Sequence, residues 1–226
     1  MTGSSRRFVA ARPEISSLAE AIAGSMAALS VEEQRLAIAL YRRLARGEPV
    51  PAGSLAAELG ADEDEVEGTL KGWPAVHRSD EGAIVAFGGL AIPAMPHRFR
   101  IDGRLLHTWC AWDALFIPEL VGRTAEVESQ SPASGDIVQL TVAPEAIVAA
   151  EPKETVVSML APTDCFDDDV VASFCHFVHF FPSASDAQPW LGQHPATFLL
   201  SLDEAFELGR ITNRLCYGEA LRNAAT

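Results

Sequence analysis

The chain has 226 residues, 48% hydrophobic and 21% charged, enough to bury a sizeable core in one large or two small domains. Its formal net charge of −14 argues against nucleic acid or an anionic membrane surface as the main partner, because both want clustered lysine and arginine. The longest apolar run, GAIVAFGGLAIPAMP, is broken by glycine and proline and is too short to span a bilayer. The first residues, MTGSSRRFVAARPE, have no continuous apolar segment and read as a flexible start, so a cytoplasmic location is expected.

Residues 14 to about 29 have the small-apolar periodicity of a helix. Ser30 opens a second helix: with Glu33 it makes a capping box, and Leu36, Leu40 and Leu44 recur on one face until Gly47. Ser54 is expected to cap a short third helix and Asp62 a fourth. VHRSDEGAIVAF follows as a hairpin. Helices followed by a hairpin are the order of a winged-helix module. The helix that would read DNA opens with Glu63, Asp64 and Glu65, which phosphates would repel, so packing is the expected use of this module.

The prolines of AIPAMP mark a linker, and the division expected is a winged-helix-like domain over 1–90 and a second domain over 91–226. Asp102-Gly103 signals a hairpin turn. A helix is expected from Trp109 towards Leu120, with Pro118 limiting it or near its end. RTAEVESQSPASGDIVQLTV reads as two strands, PEAIVAAEP as a short helix, and ETVVSML and ATFLLSL as strands. DDDVVASFCHFVHFF starts as a possible helical turn and ends with β character. Ser201 and Glu204 form a second capping box that opens the last helix. Strands and helices mix without βαβ alternation, so the fold class expected is α+β, with an irregular sheet after the winged-helix-like module.

Four residue groups could carry chemistry. Cys110 and Asp113 stand at i and i+3, which puts them on one face if the segment is helical. A helix N-terminus would favour the thiolate, the carboxylate would oppose it, and the pair could hold one proton between them. On spacing alone, a core cysteine beside an aspartate that caps or pairs is the favoured reading. Cys175 lies in SFCHFVHFF with His176 and His179. In an extended chain Cys175, Phe177 and His179 would share a face, and a soft-metal set and a plain buried strand are both open. Cys165 and Cys216 look incidental, and the run Asp167 to Asp169 reads as a solvated loop or helix start. No CxxC pair occurs, and thiols without an oxidising compartment stay reduced. His77, His97, His107 and His194 carry no spacing argument, and Gly88-Gly89 does not belong to a phosphate-binding motif.

WCAWDALFIPELVGRTAEVES at 109–129, SFCHFVHFF at 173–181 and SLDEAFELGRITNR at 201–214 resemble the bacterial organomercurial (alkylmercury) lyases. The resemblance covers about residues 100 to 215. It implies cleavage of a carbon–mercury bond to a hydrocarbon and Hg(II), with Cys110 capturing mercury, Cys175 adding a second thiolate and Asp113 managing the proton. No cofactor is implied, since the metal belongs to the substrate. A mercuric reductase is implied as the acceptor of Hg(II), and a monomer or homodimer is expected. Soft mercury prefers thiolates, and a carboxyl beside them can quench the departing carbanion. Trp109, Trp112, Phe174 and Phe177 would form a dry pocket. Two positions depart from the family: Ser131 stands where many relatives carry a cysteine, and His176 where some do. The alternatives are a non-catalytic soft-metal binding protein and a metal-responsive DNA-binding sensor.

Overall fold

A computed structural model of the chain describes residues 12–162, 165–166 and 169–223. The expected flexible start and Asp167 and Asp168 of the acidic run lie outside the described residues. Four helices come first: α1 (Ile15–Ser25), α2 (Val31–Leu44), α3 (Ala52–Leu59) and α4 (Glu63–Gly72). The Ser30 hydroxyl accepts from the Glu33 N–H while the Glu33 carboxylate accepts from the Ser30 N–H, so the expected capping box closes. Asp62 caps α4 through the N–H groups of Asp64 and Glu65. Ser54 does not cap α3: that helix already starts at Ala52 behind Pro51, and the Ser54 hydroxyl donates to the Pro51 carbonyl instead.

The strands β1 (Val76–Arg78) and β2 (Ile84–Phe87) form the expected hairpin, and β3 (Leu90–Ala91) pairs onto β2. Next come β4 (His97–Ile101) and β5 (Arg104–Thr108), joined by Asp102 and Gly103, both at positive φ. That is the conformation a two-residue hairpin turn demands. After α5 (Asp113–Val121) follow β6 (Ala125–Gln130), β7 (Ile137–Val142) and β8 (Ile147–Glu151). All pairings are antiparallel, and one eight-stranded sheet runs β1-β2-β3-β5-β4-β6-β7-β8. The winged-helix hairpin is thus the end of the main sheet, and residues 90 and 91 are the strand that joins them.

The chain ends with β9 (Val156–Met159), α6 (Val170–Ser173), a single 3-10 turn (Cys175–Phe177), β10 (Phe180–Phe181), α7 (Gln188–Gln193), β11 (Phe198–Ser201) and α8 (Leu202–Asn223). A second sheet runs β10-β9-β11. Ser201 and Glu204 exchange the hydrogen bonds of a capping box at the start of α8. On β4 the alternation is clean: His97, Phe99 and Ile101 face inward, while Arg98 and Arg100 face out opposite Glu128 and Glu126. Helix α8 packs on α1, α2 and α5, which ties the first helices to the last third of the chain. The fold is α+β, a helical helix-turn-helix module followed by a mixed domain with antiparallel sheet. No helix among the described residues is long and apolar enough to cross a membrane.

Three local readings are corrected. Residues 147–151 are strand β8, not helix. The stretch is too short to sustain a helix in isolation, and the free edge of β7 supplies backbone partners. The helix expected from Trp109 starts only at Asp113 and runs one turn past Pro118 to Gly122, whose left-handed backbone ends it. Cys175 is not in an extended segment: it begins the 3-10 turn, so the alternation of Cys175, Phe177 and His179 on one face does not apply.

Candidate active site

Cys110 lies in the turn between β5 and α5, and four hydrogen bonds hold that turn. The Trp109 N–H donates to the Gly89 carbonyl, the Thr108 hydroxyl to the Cys110 carbonyl, and the Ala111 N–H to the Val178 carbonyl. The last bond ties the Cys110 turn to the segment that follows Cys175. Asp113 is the first residue of α5, and its Oδ2 accepts the Cys110 N–H at 2.8 Å. The spacing of Cys110 and Asp113 therefore does bring them together, but through a carboxylate closing a tight turn and not through two side chains on a helix face.

Sγ of Cys110, Sγ of Cys175 and a carboxylate oxygen of Asp113 all lie within 4.8 Å of one another. All three residues are buried, and both cysteines are free thiols. Burial pushes the Cys110 thiol well above its ordinary value, reinforced by its hydrogen bond with Cys175 and by the charge of Asp113. For Cys175 the hydrogen bond with Cys110 acts downward, but burial and the Asp113 charge outweigh it and the thiol is raised. Asp113 is lifted to about 7 by burial, against the downward pull of hydrogen bonds from the Cys110 backbone and thiol. The site thus holds two neutral thiols beside a carboxyl poised to take or give a proton near neutrality.

A cavity of about 130 Å³ opens onto this group. Asp113 and Cys175 line it; Cys110 sits behind them, fully buried. Trp109, Trp112 and Phe174 are in its wall, as the sequence suggests, but Phe177 is not: its ring lies against His176 and His194. Cys165 is exposed, as is His176. Ser131 is buried and accepts the Ala133 N–H, a purely local turn bond.

Much of the wall was invisible to sequence reasoning. Tyr41 from α2, Trp73 and Phe87 from the first module, and Asn213 and Tyr217 from α8 all face the cavity. The Tyr41 hydroxyl donates to the Gly88 carbonyl at 2.8 Å and is hydrogen-bonded to Tyr217. Gly88 and Gly89 both have positive φ, and a Cβ on Gly89 would fall 2.5 Å from Cγ of Asp113. A Gly-Gly pair just before a short strand is the one signal that could have drawn attention to this wall. Below the site, the Trp112 indole donates to the Ala205 carbonyl, and the Asn213 amide donates to the Phe116 carbonyl and the Glu119 carboxylate.

Comparison with known proteins gives a consistent result. Residues 91–212 match the family model described as alkylmercury lyase, and residues 15–88 match the model described as the helix-turn-helix domain of alkylmercury lyase. The chain is 43% identical over 171 residues to an alkylmercury lyase of Staphylococcus epidermidis, covering 76% of this chain and 78% of that protein. It is 40% identical over 190 residues to one of Pseudomonas putida, covering 84% and 88%. Among solved structures, the crystal structure of the mercury-bound form of MerB2 superposes with a TM-score of 0.69 over 91% of this chain and 100% of that one, at 20% identity.

Proposed function

The chain belongs to the alkylmercury lyase family and is an enzyme of that class, and from this premise we propose that it cleaves the carbon–mercury bond by protonolysis at Cys110, Asp113 and Cys175. The observation that carries the reading is the convergence of two sulfurs and one carboxylate oxygen within 4.8 Å, in a buried site. Mercury is soft and takes thiolates in preference to nitrogen or oxygen. The apolar cavity suits the organic group.

The lining suggests an order that differs from the sequence-based expectation, in which Cys110 acts first. Cys175 faces the cavity and meets R–Hg–X before Cys110 does. Its sulfur bonds mercury and its proton leaves with X as HX. The Cys110 sulfur then bonds mercury from behind and passes its proton to the Asp113 carboxylate, to which the thiol is already hydrogen-bonded. Two thiolates raise the electron density at carbon. Asp113 gives the proton to that carbon as the carbon–mercury bond breaks, releasing R–H and leaving Hg(II) on two thiolates with Asp113 ionised again. Two thiol protons enter, and one leaves in HX and one in R–H.

A non-catalytic mercury binder would have no use for a buried carboxyl held near neutral pKa beside the thiols. We further propose a division of the chain at residues 90 and 91, a cytoplasmic location, a monomer or homodimer that binds no nucleic acid, and a mercuric reductase as acceptor of Hg(II). The acidic first turn of α4 supports a packing role over a DNA-reading one.

The test is incubation with phenylmercury and excess thiol, with benzene measured. The wild type releases benzene. Asp113→Ala keeps Hg(II) affinity and loses roughly 10²–10⁴-fold in rate. Cys110→Ser and Cys175→Ser lose turnover. A wild-type protein that binds mercury tightly and yields no hydrocarbon is a binder, and the lyase mechanism is then wrong.

A further inference from the structure

We propose that Cys216 and Met26 form a second soft-metal site on the rim of the cavity, which holds Hg(II) after it leaves the two catalytic thiols. The Cys216 thiol points at the Met26 thioether, with the sulfurs 3.6 Å apart. The two residues come from opposite ends of the chain: Met26 ends α1 and Cys216 lies in α8. Both are partly exposed, so an ion can reach them. Met26 itself lines the cavity that Cys175 and Asp113 line, as does Tyr217, the neighbour of Cys216. The rim there is fixed by the Phe166 N–H donating to the Ser25 carbonyl, which places Met26 beside the loop that carries Phe166.

The chemistry follows from the donors. A thiolate and a thioether are both soft ligands, the set that selects a soft ion over hard cations. A metal here takes the place of the thiol proton in this contact, and the two sulfurs, 3.6 Å apart, must move apart to hold it. Methionine, with three rotatable bonds, can open the gap as the ion requires. Burial lifts the Cys216 thiol to about 11, so at neutral pH the group is a thiol. Transfer is therefore a ligand exchange: the Cys216 sulfur bonds mercury and its proton goes to one catalytic thiolate, then the Met26 thioether displaces the other, which takes a proton from solvent, and no electron is gained or lost. Met26, which lines the cavity, and Cys216 beside it would thus carry the ion from the closed catalytic pair towards the surface.

The inference rests on the lyase reading for the source of Hg(II), but its test is a binding measurement that needs no turnover. Full-length protein carrying Cys165→Ser, which removes the exposed thiol, is titrated with mercuric chloride against a competing small thiol, and retained mercury is counted. Two equivalents are expected. Adding Cys216→Ser leaves one. Adding Met26→Leu, which keeps the volume, leaves the first equivalent unchanged and weakens the second at least tenfold. Circular dichroism on each sample verifies the fold, and Cys216→Ala serves if the serine variant is unfolded. A single equivalent in the Cys165→Ser protein, or a second equivalent indifferent to Met26→Leu, overturns the proposal. Benzene release from phenylmercury by the Cys165→Ser protein with and without Cys216→Ser reports separately on the lyase reading, and loss of the second equivalent with turnover intact in the Cys216→Ser protein distinguishes the two.

Discussion

Gly89 lies directly against the carboxyl group of Asp113: a Cβ at position 89 would stand 2.5 Å from Cγ and 2.6 Å from Oδ1. The same glycine has φ near +98° and accepts the Trp109 N–H on its carbonyl. The backbone of one turn therefore excludes solvent from the carboxyl and anchors the residue next to Cys110. Gly89→Ala has to strain the backbone and displace Asp113 at once. A loss of about 2–4 kcal/mol is expected from these two causes together. Urea unfolding measures it, and lyase activity should fall further than the fraction unfolded accounts for.

Tyr41 holds the other half of that turn. Its hydroxyl donates to the Gly88 carbonyl from within a fully buried site. Tyr41→Phe leaves that carbonyl unpaired, and a loss of about 1–3 kcal/mol is expected. Because Gly88 precedes Gly89, the substitution should also move the acidic limb of the pH–rate profile, where the proposed mechanism needs the Asp113 carboxylate free to take the Cys110 proton. A stability loss with an unshifted profile would make Tyr41 a packing residue only.

Asn213 braces α5 from below, with its amide shared between the Phe116 carbonyl and Glu119. Both acceptors belong to α5, so this one amide from α8 ties the two helices together. Asn213→Leu keeps the branched side-chain shape but removes the donor from a buried position. The expected cost is about 1–3 kcal/mol, read as a lower midpoint in urea with unchanged slope.

What the sequence disclosed was mostly local. The capping boxes of Ser30 and Ser201, the Asp62 cap and the Asp102-Gly103 turn depend on residues two or three apart, and they form as expected. Strand β8 was misread because its pattern, with Ala149 and Ala150, fits a helix, while the deciding factor was the open edge of β7, which no local pattern reveals. The spacing of Cys110 and Asp113 pointed to the right pair for an incomplete reason, since the contact is a carboxylate on a backbone N–H before the helix begins. That Cys175 joins them came only from the resemblance to a family. The cavity wall was harder still: Tyr41 and Gly88 are 47 residues apart, and Tyr41 looks in sequence like one more apolar position of α2.

Asp113 also links the site to the stability of the whole chain. Burial raises its carboxyl from an ordinary 3.8 to about 7, so the folded protein binds a proton more tightly than the unfolded chain does. Between about pH 4 and pH 7 the native state holds that proton and the unfolded state does not. The sign is therefore negative: this group's contribution is fully present below the unfolded value and is lost as pH rises through 7. The loss at alkaline pH is on the order of a few kcal/mol. Asp113→Asn removes the titration while its amide oxygen can still accept the Cys110 N–H. The variant should be more stable than wild type at pH 8, and the advantage should shrink steadily as pH falls towards 4. Urea denaturation of both proteins across that range measures the difference, and parallel pH profiles would show that the Asp113 carboxyl keeps an ordinary affinity for its proton.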